Sequence, residues 1–190
     1  MNAVAAQLSD ADIDDLAAFW SSQPVGSDGK PGAATAAIQR SHMAFPRNFP
    51  DGFVLYLTTN DAERATFKKI YINAIGFEAA RRGNPLPDGT IIMVVNHAAR
   101  LGTDGRPVVE NGGWVADRVL AYAGRESRAG WGGDIPEWLR NTSWNYGAFT
   151  PDRAAKADAN QAVCLACHKP QALVSYLFTF SELSDAARAR

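Results

Sequence analysis

The chain has 190 residues, 46% hydrophobic and 21% charged, which suits one globular domain with a short appendage and allows a sizeable core. A formal net charge of -1 leaves no electrostatic footprint for nucleic acid or an anionic membrane surface. No apolar run reaches the length that spans a bilayer, and no basic-then-apolar leader opens the chain.

In chain order, Leu8-Ser9-Asp10-Ala11-Asp12-Ile13 carries the signals of a helix start. Ser9 is the N-cap, Asp12 sits at N3, and Leu8 with Ile13 forms a hydrophobic staple. Ile13, Leu16, Ala17 and Trp20 continue one apolar stripe. The stripe stops at Ser21-Ser22-Gln23-Pro24, and the Gly, Ala, Ser and Thr-rich stretch from Val25 to Ala37 reads as a linker. The expected organisation is a helical segment over 1–24, a linker over 25–40 and the main domain over 41–190.

From Phe45 the texture turns to short β-type segments separated by Gly, Pro and Asn. The Phe49-Pro50-Asp51-Gly52 turn leads into a strand over Phe53 to Thr58. Phe67 to Asn73, rich in Ile and Tyr, fits a strand or the start of a helix. Ala74 to Arg82 reads as a helix with Gly83 at its C′ stop. Pro85-Leu86-Pro87-Asp88-Gly89 is a turn, and it feeds Thr90 to Val95, the most β-branched run in the chain. After Asn111-Gly112-Gly113 a further strand is expected over Trp114 to Tyr122. Gly130 to Pro136 is a loop, Ser143 to Phe149 another strand, and Ala157 to His168 a helix. No internal repeat and no Gly-rich phosphate loop is present.

Cys164-Leu165-Ala166-Cys167-His168 spells C-x-x-C-H and uses both cysteines of the chain. This is the attachment signature of a c-type haem. Two thiols one helical turn apart can each add to a porphyrin vinyl group as a thioether, and the adjacent imidazole reaches the iron as proximal ligand. A structural zinc site would need a second ligand pair, which the cysteines cannot supply. A thioredoxin-like C-x-x-C belongs early in a βαβ unit rather than near the C-terminus. A buried free Cys pair leaves the adjacent histidine unexplained. The cofactor expected is covalently attached haem c, bound by Cys164, Cys167 and His168, with iron on His168.

Phe45-Pro46, Ile70-Tyr71-Ile72-Asn73, Pro87-Asp88-Gly89-Thr90, Gly130-Trp131-Gly132, Leu139-Arg140-Asn141, Trp144, Phe149, the haem motif and Leu177-Phe178-Thr179 follow one another in an order that resembles the cytochrome P-460 family, which includes cytochrome c′-beta. The resemblance covers roughly Phe45 to Leu183. It implies a mainly β (α+β) fold: an antiparallel β-sheet monohaem c-type cytochrome with a few helices and the haem motif on a C-terminal helix. It further implies pentacoordinate iron and a homodimer. Cytochromes P-460 oxidise hydroxylamine and carry a lysine cross-linked to the haem on the strand after Pro-Asp-Gly-Thr; c′-beta members bind nitric oxide or carbon monoxide. Here Ile91 to His97 contains no lysine, and Met93 or Val94 stands at the equivalent place. Lys68 and Lys69 on the preceding segment read as solvated charges. The balance therefore tilts to electron transfer or binding of a small diatomic or nitrogen-oxide ligand, with hydroxylamine oxidation as the alternative. The first twenty residues, Met1 to Trp20, resemble the last helix of a class I cytochrome c. That resemblance leads to the expectation of such a domain fused upstream and of a c-type cytochrome as electron partner. Haem c attachment outside the cytoplasm makes the expected location periplasmic.

The other candidates are weaker. His97, at the end of the Ile91 strand, and Met93, within it, are possible distal groups, against readings as a solvent-facing histidine and a core methionine. His42 reads as exposed. Trp131 and Phe149 fit either a haem edge or plain core, and Arg140 either a propionate partner or an exposed loop cation. Asp14, Asp15 and Glu126 read as solvated and form no acid/base dyad, and no nucleophile elbow supports a hydrolase.

Overall fold

The computed structural model describes residues 38–190. The expected N-terminal helix and nearly all of the linker lie outside the described residues. Five strands, β1 (Phe53–Asp61), β2 (Thr66–Asn73), β3 (Ile91–Ala99), β6 (Ala116–Ser127) and β7 (Trp144–Phe149), form one sheet in the order β1-β2-β3-β6-β7. Every pairing is antiparallel. A small hairpin, β4 (Val109–Glu110) and β5 (Gly113–Trp114), interrupts the chain between β3 and β6. The helices are α1 (Ala74–Arg81), α2 (Gln161–His168) and α3 (Phe180–Arg188), with a 3-10 segment over Lys169–Val174. The fold is mainly antiparallel β with helices, as the sequence led one to expect.

Most expected elements are present with shifted ends. Phe67 to Asn73 resolves as a strand, because its alternate residues pack on opposite faces of the sheet. The helix after it ends as expected, with Arg82 as C-cap and Gly83 at φ +73°. The expected strand over Trp114 to Tyr122 is broken at Val115, whose N–H donates to Val108 O while its carbonyl accepts from Arg100 N. The helix expected from Ala157 begins only at Gln161, where Asn160 Oδ1 accepts from Ala162 N at 3.0 Å. Helix α3 is not among the expected elements; Leu183 and Ala187, four residues apart, are buried where it packs on α1 and β1.

Both faces of the sheet are covered. On one, Met93, Val95, Tyr122 and Phe149 pack with Met43, Phe45 and Phe49 from the segment before β1. The rings there meet edge to face, with Phe45 5.0 Å from Tyr122 and Phe49 5.2 Å from Tyr71. Gly124 and Gly147 sit opposite one another in β6 and β7, and their missing side chains give Met43 its room. On the other face, Ile72, Ile92, Trp144 and Tyr146 join Leu165, Tyr176, Leu177 and Leu183 in the main core. The C-terminal third of the chain, including α2, is thereby pressed onto one face of the sheet.

Asn73 ties the corner of this framework together. Its Oδ1 accepts from Gly76 N at 3.3 Å and Ile91 N at 3.1 Å, and its Nδ2 donates to Gly89 O at 2.8 Å. Asn73→Ala removes a helix cap, one link to β3 and one to the turn before it, and is expected to destabilise the fold by about 2 kcal/mol. Urea titration should show a lower midpoint with an unchanged slope; an unaltered midpoint would contradict this account of the corner.

Candidate functional site

The register of the sheet builds the site. Cross-strand rows run Ala148-Ala123-Val94-Ile70 and Tyr146-Arg125-Ile92-Ile72 along one face. Because Ala123 and Ala148 are short, the first row leaves space between the sheet and the C-terminal segments. The result is an apolar cleft of about 380 Å3, closed on its far side by Cys164, His168, Leu177 and Phe178. That volume lies in the roughly 300–1,000 Å3 range of ligand-binding clefts.

Helix α2 carries the motif. Cys164 and Cys167 are free and half-buried, one helical turn apart, and burial pushes the Cys164 thiol up, helped by Cys167 beside it. The helix is fixed to the sheet by polar ties. Gln161 Oε1 accepts from Tyr146 N at 3.3 Å, and the buried Asn141 donates from Nδ2 to Leu165 O at 3.0 Å and to the Tyr146 hydroxyl at 2.9 Å. Burial holds the Tyr146 hydroxyl up at about 12.

His168 ends α2 with its imidazole between two rings, 4.9 Å from Tyr146 and 5.0 Å from Phe178. Its Nδ1 lies 2.7 Å from Tyr176 O. A carbonyl can only accept, so the neutral ring carries its proton on Nδ1 and keeps the Nε2 lone pair free. Burial, with the Arg125 charge acting in the same direction, lowers the His168 pKa to about 4, against a smaller raising effect of the Tyr176 carbonyl. The ring is thus neutral at neutral pH, the form a metal binds.

Arg125 is the unexpected member. It is 4% exposed on a central strand, lines the cleft, and has its guanidinium carbon 4.4 Å from the Trp144 ring centre. It donates from Nη1 to Tyr176 O and from Nη2 to Ser175 O at 3.3 Å, while its Nε is buried with no hydrogen-bond partner. A bound group bearing an acceptor oxygen would satisfy that N–H. The free thiols, the pre-set imidazole, the apolar walls and this orphaned donor together fit a haem.

The expected residues do not all gather here. Cys164 and His168 line the cleft, with Cys167 on the same helix. Met93 and His97 do not reach it. Strand alternation turns both to the opposite face, where Met93 is fully buried among the aromatic residues and His97 stacks on Phe67 at 5.1 Å with neither ring nitrogen partnered. His97 is thus neither a cleft residue nor a solvent-facing strand end. Trp131 and Phe149 belong to the same opposite face. Arg140 turns into its own loop, donating from Nε to Ile135 O at 2.9 Å. Glu126 is buried and paired with Arg128 at 2.5 Å rather than solvated. His42 is exposed, as expected. Val94 faces the cleft; Lys68, on the same face as Ile70 and Ile72, borders it and is exposed, in keeping with its reading as a solvated charge. Among the described residues, no third histidine, cysteine or carboxylate joins the cysteine pair as a metal cluster, and no helix is long and apolar enough to cross a membrane.

Comparison with known proteins gives one family: residues 46–179 match Cytochrome P-460. A search of curated proteins finds none that matches the chain.

In the protein without cofactor, folded His168 takes up a proton only near pH 4, whereas a free imidazole does so near 6.5. Between these values the unfolded chain binds more protons, so stability rises with pH. Stability of the haem-free chain is expected to fall as the pH drops from about 6.5 towards 4, and His168→Asn should flatten that dependence. Urea midpoints over this pH range decide it; the same pH dependence in both proteins would contradict the buried, neutral ring.

Proposed function

The chain belongs to the cytochrome P-460 family and is a haem-binding cytochrome; from that premise we propose that it holds haem c covalently through Cys164 and Cys167, with His168 as proximal ligand. In this reading it transfers single electrons, binds a nitric oxide-like small ligand at pentacoordinate iron, or does both. The observation that carries the proposal is His168, which borders the apolar cleft beside Cys164 with Nδ1 engaged by Tyr176 O and Nε2 left for a metal. Bound haem supplies a one-electron iron couple and an axial position for a small ligand.

The chain's own groups divide the remaining tasks. Tyr146 and Phe178 hold the imidazole plane. Asn141 and Gln161 fix the helix that carries both thiols. Ile70, Val94, Ala123 and Ala148 keep water from the cleft wall and strengthen electrostatic effects within it. The placement of Met93 and His97 on the opposite face supports an iron that takes only one protein ligand. The wider proposal retains a periplasmic location, a homodimer and a c-type cytochrome as electron partner.

A second reading is hydroxylamine oxidation, with electrons passed to that cytochrome. Lys68 favours it, because an amine borders the cleft; Val94 weighs against it, because the position expected to carry the family lysine is apolar. Electron transfer and ligand binding remain the preferred reading.

Two measurements test these statements. Expressed with a c-type haem attachment system, the full chain is expected to keep its haem through denaturing electrophoresis, and Cys164→Ser with Cys167→Ser is expected to lose it. Wild-type protein without covalent haem would overturn the proposal. The holoprotein is then expected to bind nitric oxide in the ferrous state and to leave an oxidised acceptor unreduced when hydroxylamine is added. Catalytic acceptor reduction, with a strongly red-shifted ferrous Soret band, would instead select the second reading.

A further inference from the structure

The carbonyl that positions His168 is also held by a buried cation. Tyr176 O receives Nδ1–H of His168 at 2.7 Å and Nη1–H of Arg125. The same guanidinium reaches Ser175 O, so it grips two successive carbonyls. Among the described residues no carboxylate forms an ion pair with Arg125. Glu126, the next residue, points to the other face and pairs with Arg128. The Arg125 charge is balanced by carbonyl dipoles, the neighbouring Tyr146 and Tyr56 hydroxyls and the Trp144 ring, close to the His168 imidazole.

We propose that Arg125 is a positioning residue that sets the donor strength of His168 through the shared Tyr176 carbonyl, and so tunes the bond from His168 to the haem iron. This rests on the haem reading given above. A carbonyl oxygen has two lone pairs, and a cation on one withdraws density from the other. The Nδ1–H bond to Tyr176 is weakened, the ring retains neutral imidazole character, and Nε2 donates less. The nearby positive charge also disfavours ferric iron relative to ferrous, because the ferric site carries one more positive charge. Both effects have one sign: Arg125 weakens the iron–histidine bond and raises the reduction potential.

The arrangement differs from an ordinary buried arginine in what it leaves undone. A structural role would be met by any partner set that satisfies all five N–H donors. Here Nε is unsatisfied and buried at the cleft, while the fork is spent on the two carbonyls that frame the proximal ring.

The test compares Arg125→Met, which removes the charge, with Arg125→Lys, which keeps it but loses the two-carbonyl fork. Both are measured as full-length ferrous holoproteins by resonance Raman spectroscopy and by redox titration. Arg125→Met is expected to move the iron–histidine stretching band to higher wavenumber. It should also lower the ferrous-to-ferric ratio at a fixed solution potential by about tenfold, equivalent to about 59 mV for a one-electron couple. Arg125→Lys should shift the band in the same direction by less and return most of the potential. If Arg125→Met does not fold, the Lys variant decides alone, because loss of the fork must still move the band. Bands and potentials unchanged in the folded variants, with haem still attached, would overturn this inference and leave the haem reading intact. Wild-type chain that attaches no haem would instead remove the haem reading itself.

Discussion

The site depends on two carbonyls turned inward against the preference of the backbone. Ser175 and Tyr176 both adopt left-handed conformations, at φ 56° and 57°. Neither is glycine, so each costs on the order of 1–2 kcal/mol. What offsets this is a set of hydrogen bonds converging from three directions. The Arg125 fork comes from the centre of the sheet, His168 Nδ1 from the end of α2, and Leu86 N reaches Ser175 Oγ at 3.0 Å from the turn before β3. Tyr176 N closes the loop on Gln171 O at 2.7 Å. A bare buried guanidinium would cost several kcal/mol. The strained turn supplies acceptors for the cation, and the cation adds to the bonds that offset the strain.

The same contacts hold the His168 ring in place. His168 sits between Tyr146 and Phe178, and these come from different parts of the chain, one on β7 and one after the 3-10 segment. Contact with these two tilted rings limits the imidazole's tilt, and the Nδ1 bond limits its rotation. Such a ring presents Nε2 in one direction without reorganisation when a metal arrives. The low His168 pKa follows from the same packing, since burial and the Arg125 charge both disfavour the imidazolium.

Much of the framework was legible in the sequence and its facing was not. Strands announced themselves through β-branched runs between Gly and Pro turns, and the haem motif was legible because its five residues are contiguous. In β3, Ile91 to Val95 is apolar at every position, the mark of a strand covered on both sides. Polarity then cannot say whether Met93 or Val94 faces the cleft, and a shift of one residue reverses the answer. Only the cross-strand pairing of Val94 with Ile70 and Ala123 resolves it, and that is tertiary information. Arg125 is illegible in the sequence for a related reason. Its partners lie 50 and 51 residues away, and the signal, a lone cation beyond Ala121-Tyr122-Ala123-Gly124 in a central strand, is short. Arg140, chosen instead from its loop, spends its donor on its own backbone.

The cleft itself follows from deleted volume rather than from any lining group. Ala123 faces Ala148 on one side of the sheet, while Gly124 faces Gly147 on the other, so two adjacent cross-strand pairs are small on both faces. On the aromatic face Met43 moves into the gap and the packing closes. On the cleft face no side chain among the described residues follows, although larger residues there would complete the core at a gain of about 0.8 kcal/mol for each buried methylene. A protein that leaves this apolar surface uncovered forgoes stability in the absence of a ligand and recovers it on binding one. The same small residues leave the sheet intact, because strand pairing needs only backbone. Volume can therefore be removed beside the His168 ring without loosening the strands that hold Arg125, because the cleft is made by short side chains and the cation is held by backbone and strand position.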